Sequence, residues 1–364
     1  MTGTSLDGLD VALARITGHG LQMAAQCVGT ISEPLGPVRD ALLHLASGHG
    51  APPIEYMRAG RRLGQRHADA VEQLCKHYLP QDARLDFIIA HGQTIGHAPD
   101  EHLSWQLLDP WPMVKRLDAA VCYDLRQADL IAGGQGAPIT PIADWVLFRH
   151  QEKHRRIVNL GGVCNVTELP PRCQPHQVTG EDIGPCNLYI DTVVRMFFPD
   201  ERCDRDGHLS AQGRCVSTMY HGMLDADFFR RPRPRSTGRE DFNRPWVEHM
   251  VKRCEVTGVD AVASAVEAVG RLIVETTERR PCPVQLVLAG GGAKNPNLVQ
   301  VIRTRSSGCF DVIQSDELGI ACAGREALAF AVLGALSQDA IPITLTQVTG
   351  AAGSQIAGVW AYPS

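Results

Sequence analysis

Three glycine-containing turns could bring backbone N–H groups close to the oxygens of a phosphate. They are Gly3-Thr4-Ser5-Leu6-Asp7-Gly8, Gly161-Gly162-Val163-Cys164-Asn165 and Gly290-Gly291-Gly292-Ala293-Lys294-Asn295. Glycine carries no side chain, so its backbone can approach a phosphate closely. Each turn by itself is more often an ordinary strand end. With the hydroxyls of Thr4 and Ser5 and the carboxylate of Asp7, the three together predict two phosphate loops and one adenosine loop.

A carboxylate that could act as a general base opens the segment Asp182-Ile183-Gly184-Pro185-Cys186-Asn187. Before a Gly-Pro turn, Asp182 is expected on a rigid, exposed bend from which it could take a proton. From the residues alone, an Asx turn that only organises its own loop is the favoured alternative. His91 and Gln93 could donate hydrogen bonds to a sugar, or His91 could cap local backbone.

The elements that must hold these residues alternate between apolar strands and helices. Strands are predicted at 11–16, 21–30, 85–90, 119–123, 157–160, 163–169 and 284–289, and helices at 53–78, 261–279, from 295, and 325–337. This alternation favours an α/β fold with mixed sheets. Polar residues directly follow the strands at 85–90 and 119–123, and such strand ends commonly border a crevice.

The length of 364 residues exceeds what one hydrophobic core usually supports, so we expect two lobes with a cleft between them. A glycine-dense run at 133–138 precedes the expected boundary. The lobes are therefore predicted at 1–140 plus 340–364 and at 141–339.

Several classes of function are disfavoured by composition and pattern. The net charge of -5 and a single short cationic cluster at 230–235 argue against a nucleic-acid partner. No apolar run is long enough to span a membrane, and we expect a cytoplasmic protein whose cysteines are reduced. Neither the G-x-x-x-x-G-K-[ST] loop nor the G-x-G-x-x-G fingerprint is present, which disfavours P-loop and dinucleotide-binding interpretations.

Eight motifs follow one another along nearly the whole chain: MTGTSLDGLDVALARI, AHGQTIGHAP, DLRQADLIAGGQGAP, NLGGVCNVT, DIGPCN, RSTGREDFN, LAGGGAKNPNL and REALAFAVLG. In this order they resemble the anhydro-N-acetylmuramic acid kinases, a family of the actin/hexokinase/heat-shock ATPase superfamily. The resemblance implies a two-lobed, actin-like ATPase fold, built as a duplicated ribonuclease H-like domain with an interdomain cleft.

The resemblance also implies a reaction and its cofactors. Members use ATP and Mg²⁺ to phosphorylate 1,6-anhydro-N-acetylmuramic acid while water opens the anhydro bridge, which gives N-acetylmuramic acid 6-phosphate for cell-wall recycling. Asp182 would take the proton of the attacking water. A homodimer is also implied.

Carried over residue by residue, the resemblance assigns further roles. The nucleotide would contact Gly3, Thr4, Ser5, Leu6, Asp7, Gly8, Leu9, Asp10, Gly161, Gly162, Asn165, Gly290, Gly291, Gly292 and Asn295. The sugar would contact His91, Gln93, Thr94, Arg126 and Glu326, and Asp7 and Glu326 would hold the metal.

Three departures from the family pattern keep alternatives open. The apolar strand expected before the first glycine turn is missing, so either the true start lies upstream or this lobe lacks an edge of its sheet. Ile183 and Cys186 replace a threonine and a glycine. Ala143 and Asp144 replace a phenylalanine and a histidine; if they line the sugar pocket, another anhydro-sugar such as levoglucosan becomes the alternative substrate. A non-catalytic nucleotide-binding homologue is the remaining alternative.

Overall fold

The computed structural model describes residues 1–2, 8–47, 50–233, 235, 237, 241–278 and 284–364. Contacts divide the chain into two compact units. The first unit comprises Met1–Phe148, Gln174–Val178 and Gly319–Ser364, and the second comprises Arg149–Cys173 and Thr179–Leu318. No helix within these described ranges is long and apolar enough to cross a membrane.

The first unit begins with a strand hairpin and a long helix. Its elements up to the first crossing into the second unit are β1 (Leu9–Thr17), β2 (Ala24–Glu33), α1 (Val38–Ala46), α2 (Pro53–Tyr78), β3 (Phe87–Ile89), β4 (Gln93–Ala98), β5 (Leu103–Leu107), α3 (Trp111–Leu117), β6 (Ala120–Tyr123), α4 (Gln127–Ile131) and α5 (Pro141–Phe148). Helix α2 starts with a proline at its first turn, where the missing N–H costs nothing. Its apolar face, which includes Leu63 and Ala68, packs on two core clusters. Helix α2 therefore contributes to two separate parts of the core of this unit.

The second unit is built around one five-stranded sheet. Its elements are β7 (His154–Leu160), β8 (Val163–Leu169), β9 (Thr179–Pro185), α6 (Asn187–Phe197), α7 (Thr218–Leu224), α8 (Arg244–Arg253), α9 (Gly258–Glu275), β10 (Val284–Ala289), α10 (Pro296–Ser306) and β11 (Phe310–Gln314). The strand order is β11-β10-β7-β8-β9. Strands β7, β8 and β9 form an antiparallel meander, and β10 is parallel to both β7 and β11. All six residues of β10 are buried, as expected for a central strand covered on both faces.

The chain then returns to the first unit with α11 (Arg325–Gln338), α12 (Thr346–Thr349) and β12 (Val359–Ala361). Here β12 pairs antiparallel with β6, and β6 pairs parallel with β3, which gives a three-stranded sheet. Strands β1 and β2 form a separate antiparallel sheet, as do β4 and β5.

The predicted α/β class is confirmed, and helix 53–78 and strand 284–289 have their predicted bounds. The helix predicted at 261–279 instead covers Gly258–Glu275. It ends early because the hydroxyls of Thr276 and Thr277 hydrogen-bond the carbonyls of the last turn.

The lobe boundaries differ from the contact units. We predicted 141–339 as one lobe, whereas contacts assign α5 and α11 to the first unit. A buried ion pair between Asp144 of α5 and Arg325 of α11 joins these two helices. The division of roles between the lobes stays a prediction.

Candidate active site

In the first unit, two strand ends bring together His91 and Arg126. Strands β3 and β6 are parallel neighbours, so the residues after them emerge at the same sheet edge. Arg126 Nε donates to His91 Nε2 at 3.1 Å. An arginine cannot accept, so His91 is held as the neutral ring with its proton on Nδ1. Burial, and then the charge of Arg126, keeps the pKa of His91 well below its usual value.

Glu326, in the first turn of α11, belongs to the same end of the unit. Burial raises the pKa of its carboxyl group; Asp10 raises it further, while Arg325, Arg126 and the α-amino group of Met1 lower it. Asp10 and Arg126 therefore both lie close enough to Glu326 to interact with it.

Gln93 and Thr94 open β4 directly after His91. The side chain of Gln93 is buried, and its Oε1 has no hydrogen-bond partner within the described ranges. The same is true of Thr2 Oγ1. Buried polar atoms are normally satisfied, so such an atom beside His91 is suited to a hydroxyl or amide of a ligand.

Asp129 holds the glycine-dense segment 133–138 in place, a role that the sequence interpretation did not assign to it. Its carboxylate is buried and accepts hydrogen bonds from Gly136 N at 2.8 Å and Thr349 Oγ1 at 2.8 Å. Arg126 Nη1 donates to Gly136 O at 2.6 Å. The glycine-dense segment is thus fixed from both sides and in turn orients Arg126. The sequence feature that could have revealed this role is the position of Asp129, which follows β6 and directly precedes the glycine-dense segment.

The first predicted phosphate loop lies mostly outside the described residues: Gly3, Thr4, Ser5, Leu6 and Asp7 are not among them. Of the remaining positions, Leu9 is fully buried in a core cluster, so its side chain serves packing. Asp10 Oδ1 accepts a hydrogen bond from Ser32 Oγ at 2.5 Å.

In the second unit, the hairpin tip between β7 and β8 is tied to the start of α6. The carbonyl of Gly162 accepts from Cys186 N and Leu188 N, and that of Gly161 accepts from Asn187 N, each at 3.0 Å. Asn187 Nδ2 also donates to Leu160 O at 3.0 Å. Gly161 and Gly162 therefore sit on a rigid support. Asn187 was missed because only the Asp182 end of its motif was assigned chemistry.

The glycine turn after β10 packs against the same support. Gly290 has φ +87°, and a Cβ there would lie 2.7 Å from Asn159 Oδ1. A Cβ at Gly292 would lie 2.8 Å from Leu160 Cβ and 2.9 Å from Asn187 Oδ1. Both positions require glycine. The structure thus brings the second predicted phosphate loop and the predicted adenosine loop together.

The side chain of Asn295 is occupied by structural hydrogen bonds. Its Oδ1 caps α10 by accepting from Asn297 N and Leu298 N, and its Nδ2 donates to Asp204 Oδ2 at 2.9 Å. Its backbone N–H also donates to Gly292 O at 3.0 Å, and its carbonyl accepts from Val299 N at 3.2 Å. Asn295 therefore shapes the turn, and its predicted nucleotide contact stays a prediction.

Asp182 lies within β9 rather than on an exposed bend, so that expectation is corrected. It is paired across the strands with Asn165 of β8, which was predicted to contact the nucleotide. A β-bulge at this point leaves Ile183 as the extra residue, and bulges re-aim neighbouring side chains. Gly184 and Pro185 are buried within the sheet, which removes the bend.

The carboxylate of Asp182 is held by a loop that the sequence interpretation did not assign to the site. Thr237 N donates to Asp182 Oδ2 at 2.8 Å, and Asp182 N donates to Arg235 O at 2.9 Å. The guanidinium of Arg235 stacks over Phe228 at 4.3 Å. The sequence feature that could have revealed this contact is the motif RSTGREDFN at 235–243. Within this motif, Ser236, Gly238, Arg239 and Glu240 lie outside the described residues.

The departures from the family pattern have local explanations. Ile183 and Cys186 are buried, and the φ of Cys186 is -129°, so this position does not need the positive φ that favours glycine. Ala143 and Asp144 are both 0% exposed. Because Asp144 pairs with Arg325 in the interior, these two residues do not form a pocket surface, and the alternative built on that idea loses its basis.

A magnesium site remains a prediction. Mg²⁺ prefers oxygen ligands and is commonly held by one or two carboxylates together with substrate phosphates. No group of three or more His, Cys, Asp or Glu residues suited to a metal occurs among the described positions. Asp10 and Glu326 do offer two neighbouring carboxylates of the right chemistry.

The free energy of unfolding is expected to fall as the pH drops from 8 to 6. Burial lowers the pKa of the Met1 α-amino group from 8.0 to about 6, so in this range the unfolded chain binds the proton more tightly. The loss is on the order of 2 kcal/mol, and stability levels off above pH 8. Urea denaturation at several pH values measures it. N-terminally acetylated protein should lose the part of this dependence that the α-amino group causes, which dominates between pH 7 and 8. The buried, neutral side chains of His67 and His91 lower the stability of both proteins below about pH 7. An equal slope between pH 7 and 8 in both proteins would contradict the assignment.

Comparison with known proteins gives one family over the whole chain. The sequence model described as "Anhydro-N-acetylmuramic acid kinase" matches residues 1–363. Proteins of that name from Prochlorococcus marinus (strain MIT 9303) and Bacillus cereus (strain 03BB102) are 33% and 31% identical, and each alignment covers 100% of this chain and 98% of the relative.

Two solved structures are similar over most of the chain. An activator of the 2-hydroxyisocaproyl-CoA dehydratase from Clostridium difficile with bound ADPNP has a TM-score of 0.43 at 13% identity, covering 91% of this chain and 95% of that one. A ROK family glucokinase from Streptomyces griseus in complex with glucose and AMPPNP has a TM-score of 0.36 at 11% identity, covering 88% and 97%. Because both TM-scores are below 0.5, the family assignment depends on the sequence matches.

Proposed function

The chain belongs to the anhydro-N-acetylmuramic acid kinase family, and from this premise we propose its reaction and the residues that perform it. It is an ATP-dependent kinase that opens the 1,6-anhydro bridge of 1,6-anhydro-N-acetylmuramic acid and phosphorylates O6. The products are N-acetylmuramic acid 6-phosphate and ADP, and the reaction serves cell-wall recycling. The match over residues 1–363 is the observation that carries this conclusion.

In the proposed reaction, Asp182 is the general base. A water oxygen bonds to the anomeric carbon while its proton passes to the Asp182 carboxylate. The bond between that carbon and the bridging oxygen breaks, and this oxygen, now O6, attacks the γ-phosphorus of ATP. The bond from the γ-phosphorus to the ADP oxygen breaks in this transfer, and ADP leaves with the electron pair of that bond. Since the phosphoryl transition state is loose, the protein mainly positions the groups and neutralises charge.

The surroundings of Asp182 suit this role. Its strand is fixed in a sheet, and the hydrogen bond from Thr237 N to Oδ2 defines the orientation of the carboxylate. A base held in one orientation loses little freedom in the transition state. Asn165, directly opposite on β8, belongs to the hairpin that we assign to the phosphates.

The nucleotide is assigned to the glycine turns of the second unit and the loop around Asp7 to Asp10. Backbone N–H groups at Gly161, Gly162 and Gly290 to Gly292 suit phosphate and adenosine because no side chains obstruct them. When bound, Mg²⁺ would neutralise phosphate charge, with Asp7, Asp10 and Glu326 as candidate ligands.

The sugar is assigned to His91, Gln93, Thr94, Arg126 and Glu326 in the first unit. Neutral His91 presents a donor at Nδ1, and the buried Gln93 Oε1 is a ready acceptor. Arg126 is the cation of this cluster, and a cation suits an anionic lactyl carboxylate.

We further propose a homodimer and, because ATP is the phosphoryl donor, a cytoplasmic location. Size-exclusion chromatography with light scattering measures the molar mass and so tests the homodimer.

A substrate panel tests the function. The protein is incubated with ATP, Mg²⁺ and anhydro-N-acetylmuramic acid, its anhydroglucosamine analogue or levoglucosan, and ADP release is followed. Sugar-dependent ADP formation is expected with the first compound at least about tenfold faster than with the others, since the analogues lack the lactyl group whose carboxylate Arg126 would bind. ATP without sugar is the control. A preference for a sugar without the lactyl ether would contradict the assigned substrate.

A further inference from the structure

The loop of residues 204–210 in the second unit contains a buried carboxylate. The loop lies between α6 and α7, and its Asp204 is 5% exposed. A buried carboxylate is costly unless hydrogen bonds satisfy its oxygens. Oδ1 of Asp204 accepts from Leu209 N at 2.8 Å and from Ser210 N at 3.3 Å. Oδ2 accepts from Ser210 Oγ at 2.5 Å and from Asn295 Nδ2 at 2.9 Å. The carboxylate thus closes its own loop and also reaches Asn295.

Asn295 is the last residue of the glycine turn that we assign to adenosine. Its N–H closes the turn by donating to Gly292 O at 3.0 Å. Its side-chain Oδ1 caps α10 by accepting from Asn297 N at 3.0 Å and from Leu298 N at 3.3 Å. One residue therefore fixes both the end of the turn and the start of the helix that follows it.

Asp204 decides which way the amide of Asn295 points. An amide has an oxygen that accepts and a nitrogen that donates, whereas a carboxylate only accepts. The amide must therefore present Nδ2 to Asp204, and this turns Oδ1 toward the N–H groups at the start of α10. The opposite orientation would set oxygen against oxygen and N–H against N–H, which leaves buried groups without partners. The cap of α10 thus depends on a residue 91 positions away.

A second contact holds the same loop against α10. Asn297 Nδ2 donates to Gly207 O at 2.6 Å and to Ser210 Oγ at 2.8 Å. Gly207 has φ +70°, and a Cβ there would lie 2.7 Å from Asn297 Nδ2 and 2.9 Å from Asn295 Oδ1. The positive φ and the close approach of both side chains favour glycine at this position. The loop therefore packs closely against the two asparagines at the start of α10.

We propose that Asp204 is a positioning residue for nucleotide binding, which orients Asn295 so that the turn 290–292 is held in the shape that receives the nucleotide. The inference rests on the proposed function, in which this turn contacts adenosine. A turn that is ordered before the nucleotide arrives does not have to be ordered on binding, so its release weakens binding. The proposed base Asp182 is not affected, so the rate at saturating ATP changes much less.

The substitution Asp204→Asn breaks this link selectively. Its oxygen can still accept from Leu209 N and Ser210 N, but its new nitrogen meets the donor Asn295 Nδ2. Calorimetry with a non-hydrolysable ATP analogue and Mg²⁺, without sugar and well below the Tm of each variant, measures the dissociation constant. This constant should rise at least about tenfold, while the rate at saturating ATP and sugar stays within about threefold of the parent. An unchanged dissociation constant would overturn the inference.

A reciprocal exchange separates positioning from a general loss of structure. Asn295→Asp alone sets two carboxylates against each other and should also weaken binding. When Asp204→Asn and Asn295→Asp are combined, the new amide donates to the new carboxylate, which can still cap α10. The double variant should therefore recover an affinity within about threefold of the parent. A double variant that binds as weakly as the single ones would show that this hydrogen bond does not hold the turn.

The matched control is Asp206→Asn in the same loop. Asp206 is exposed and has φ +51°, a conformation that asparagine also adopts readily. Its affinity should stay within about twofold of the parent, since Asp206 is not part of the link. If this control weakens binding as much as Asp204→Asn does, the effect is not specific to Asp204 and the inference is wrong.

Two further outcomes are informative. If Asp204→Asn does not fold, Asn297→Ala loosens the same loop and should weaken binding about threefold; parent-like affinity would then overturn the inference. A parent protein that binds the analogue but forms no ADP with any sugar contradicts the proposed reaction, whereas the affinities of the variants still decide the role of Asp204. A parent that binds no nucleotide contradicts both.

Discussion

Asp182→Asn is expected to reduce sugar-dependent ADP formation by about 10³-fold, because asparagine cannot accept the proton of the attacking water. The exchange is nearly isosteric, and its amide oxygen can still accept the hydrogen bond from Thr237 N that now reaches Asp182 Oδ2. The fold should therefore be kept. Initial rates with saturating ATP and sugar measure the loss, and equilibrium binding of a nucleotide analogue should change by less than about threefold.

Glu181→Gln is the matched control for this variant. Glu181 is the preceding residue of β9 and forms an ion pair with Arg233. The substitution removes one carboxylate from the same strand and leaves the proposed base unchanged, so the turnover of this variant should stay within about threefold of the parent protein. Unchanged turnover in Asp182→Asn, or equal losses in both variants, would remove Asp182 from the role of base.

Asp144→Ala is expected to lower the free energy of unfolding by about 3–5 kcal/mol. Asp144 is 0% exposed and Arg325 is 1% exposed, and the two form an ion pair. Removing one partner leaves a buried charge without its counter-ion, which costs far more than the pair itself contributes. Because Arg325 is the first residue of α11 and Glu326 the second, the loss should also reach the site. Urea denaturation measures the change.

Two comparisons make this result specific. Asp225→Ala breaks the Arg253–Asp225 pair, whose side chains are 53% and 59% exposed, and should cost less than about 1 kcal/mol. The double variant Asp144→Leu with Arg325→Met removes both buried charges and should recover most of the stability. If Asp144→Ala costs no more than Asp225→Ala, the interior pair does not anchor α5 to α11 as described.

The turns and strand ends that carry the candidate site could be predicted from local sequence because glycine turns, strand ends and motif order are local features. The turn at Gly290 to Gly292 was expected from its glycines alone, and its geometry requires them. The partners of Asp182 could not be expected, since Thr237 is 55 positions away. The expected exposed bend was wrong because the pairing of β8 with β9 carries Gly184 and Pro185 into the sheet.

By itself, the sequence determined the family, the α/β class and elements such as α2, because motif order and helical periodicity are written in neighbouring residues. Only the tertiary structure decided that His91 meets Arg126, that Asp144 is buried against Arg325 181 positions away, and that β1 and β3 belong to separate sheets. The physical reason is that strand pairing and burial of charge depend on segments distant in the chain, whose contacts no local pattern encodes.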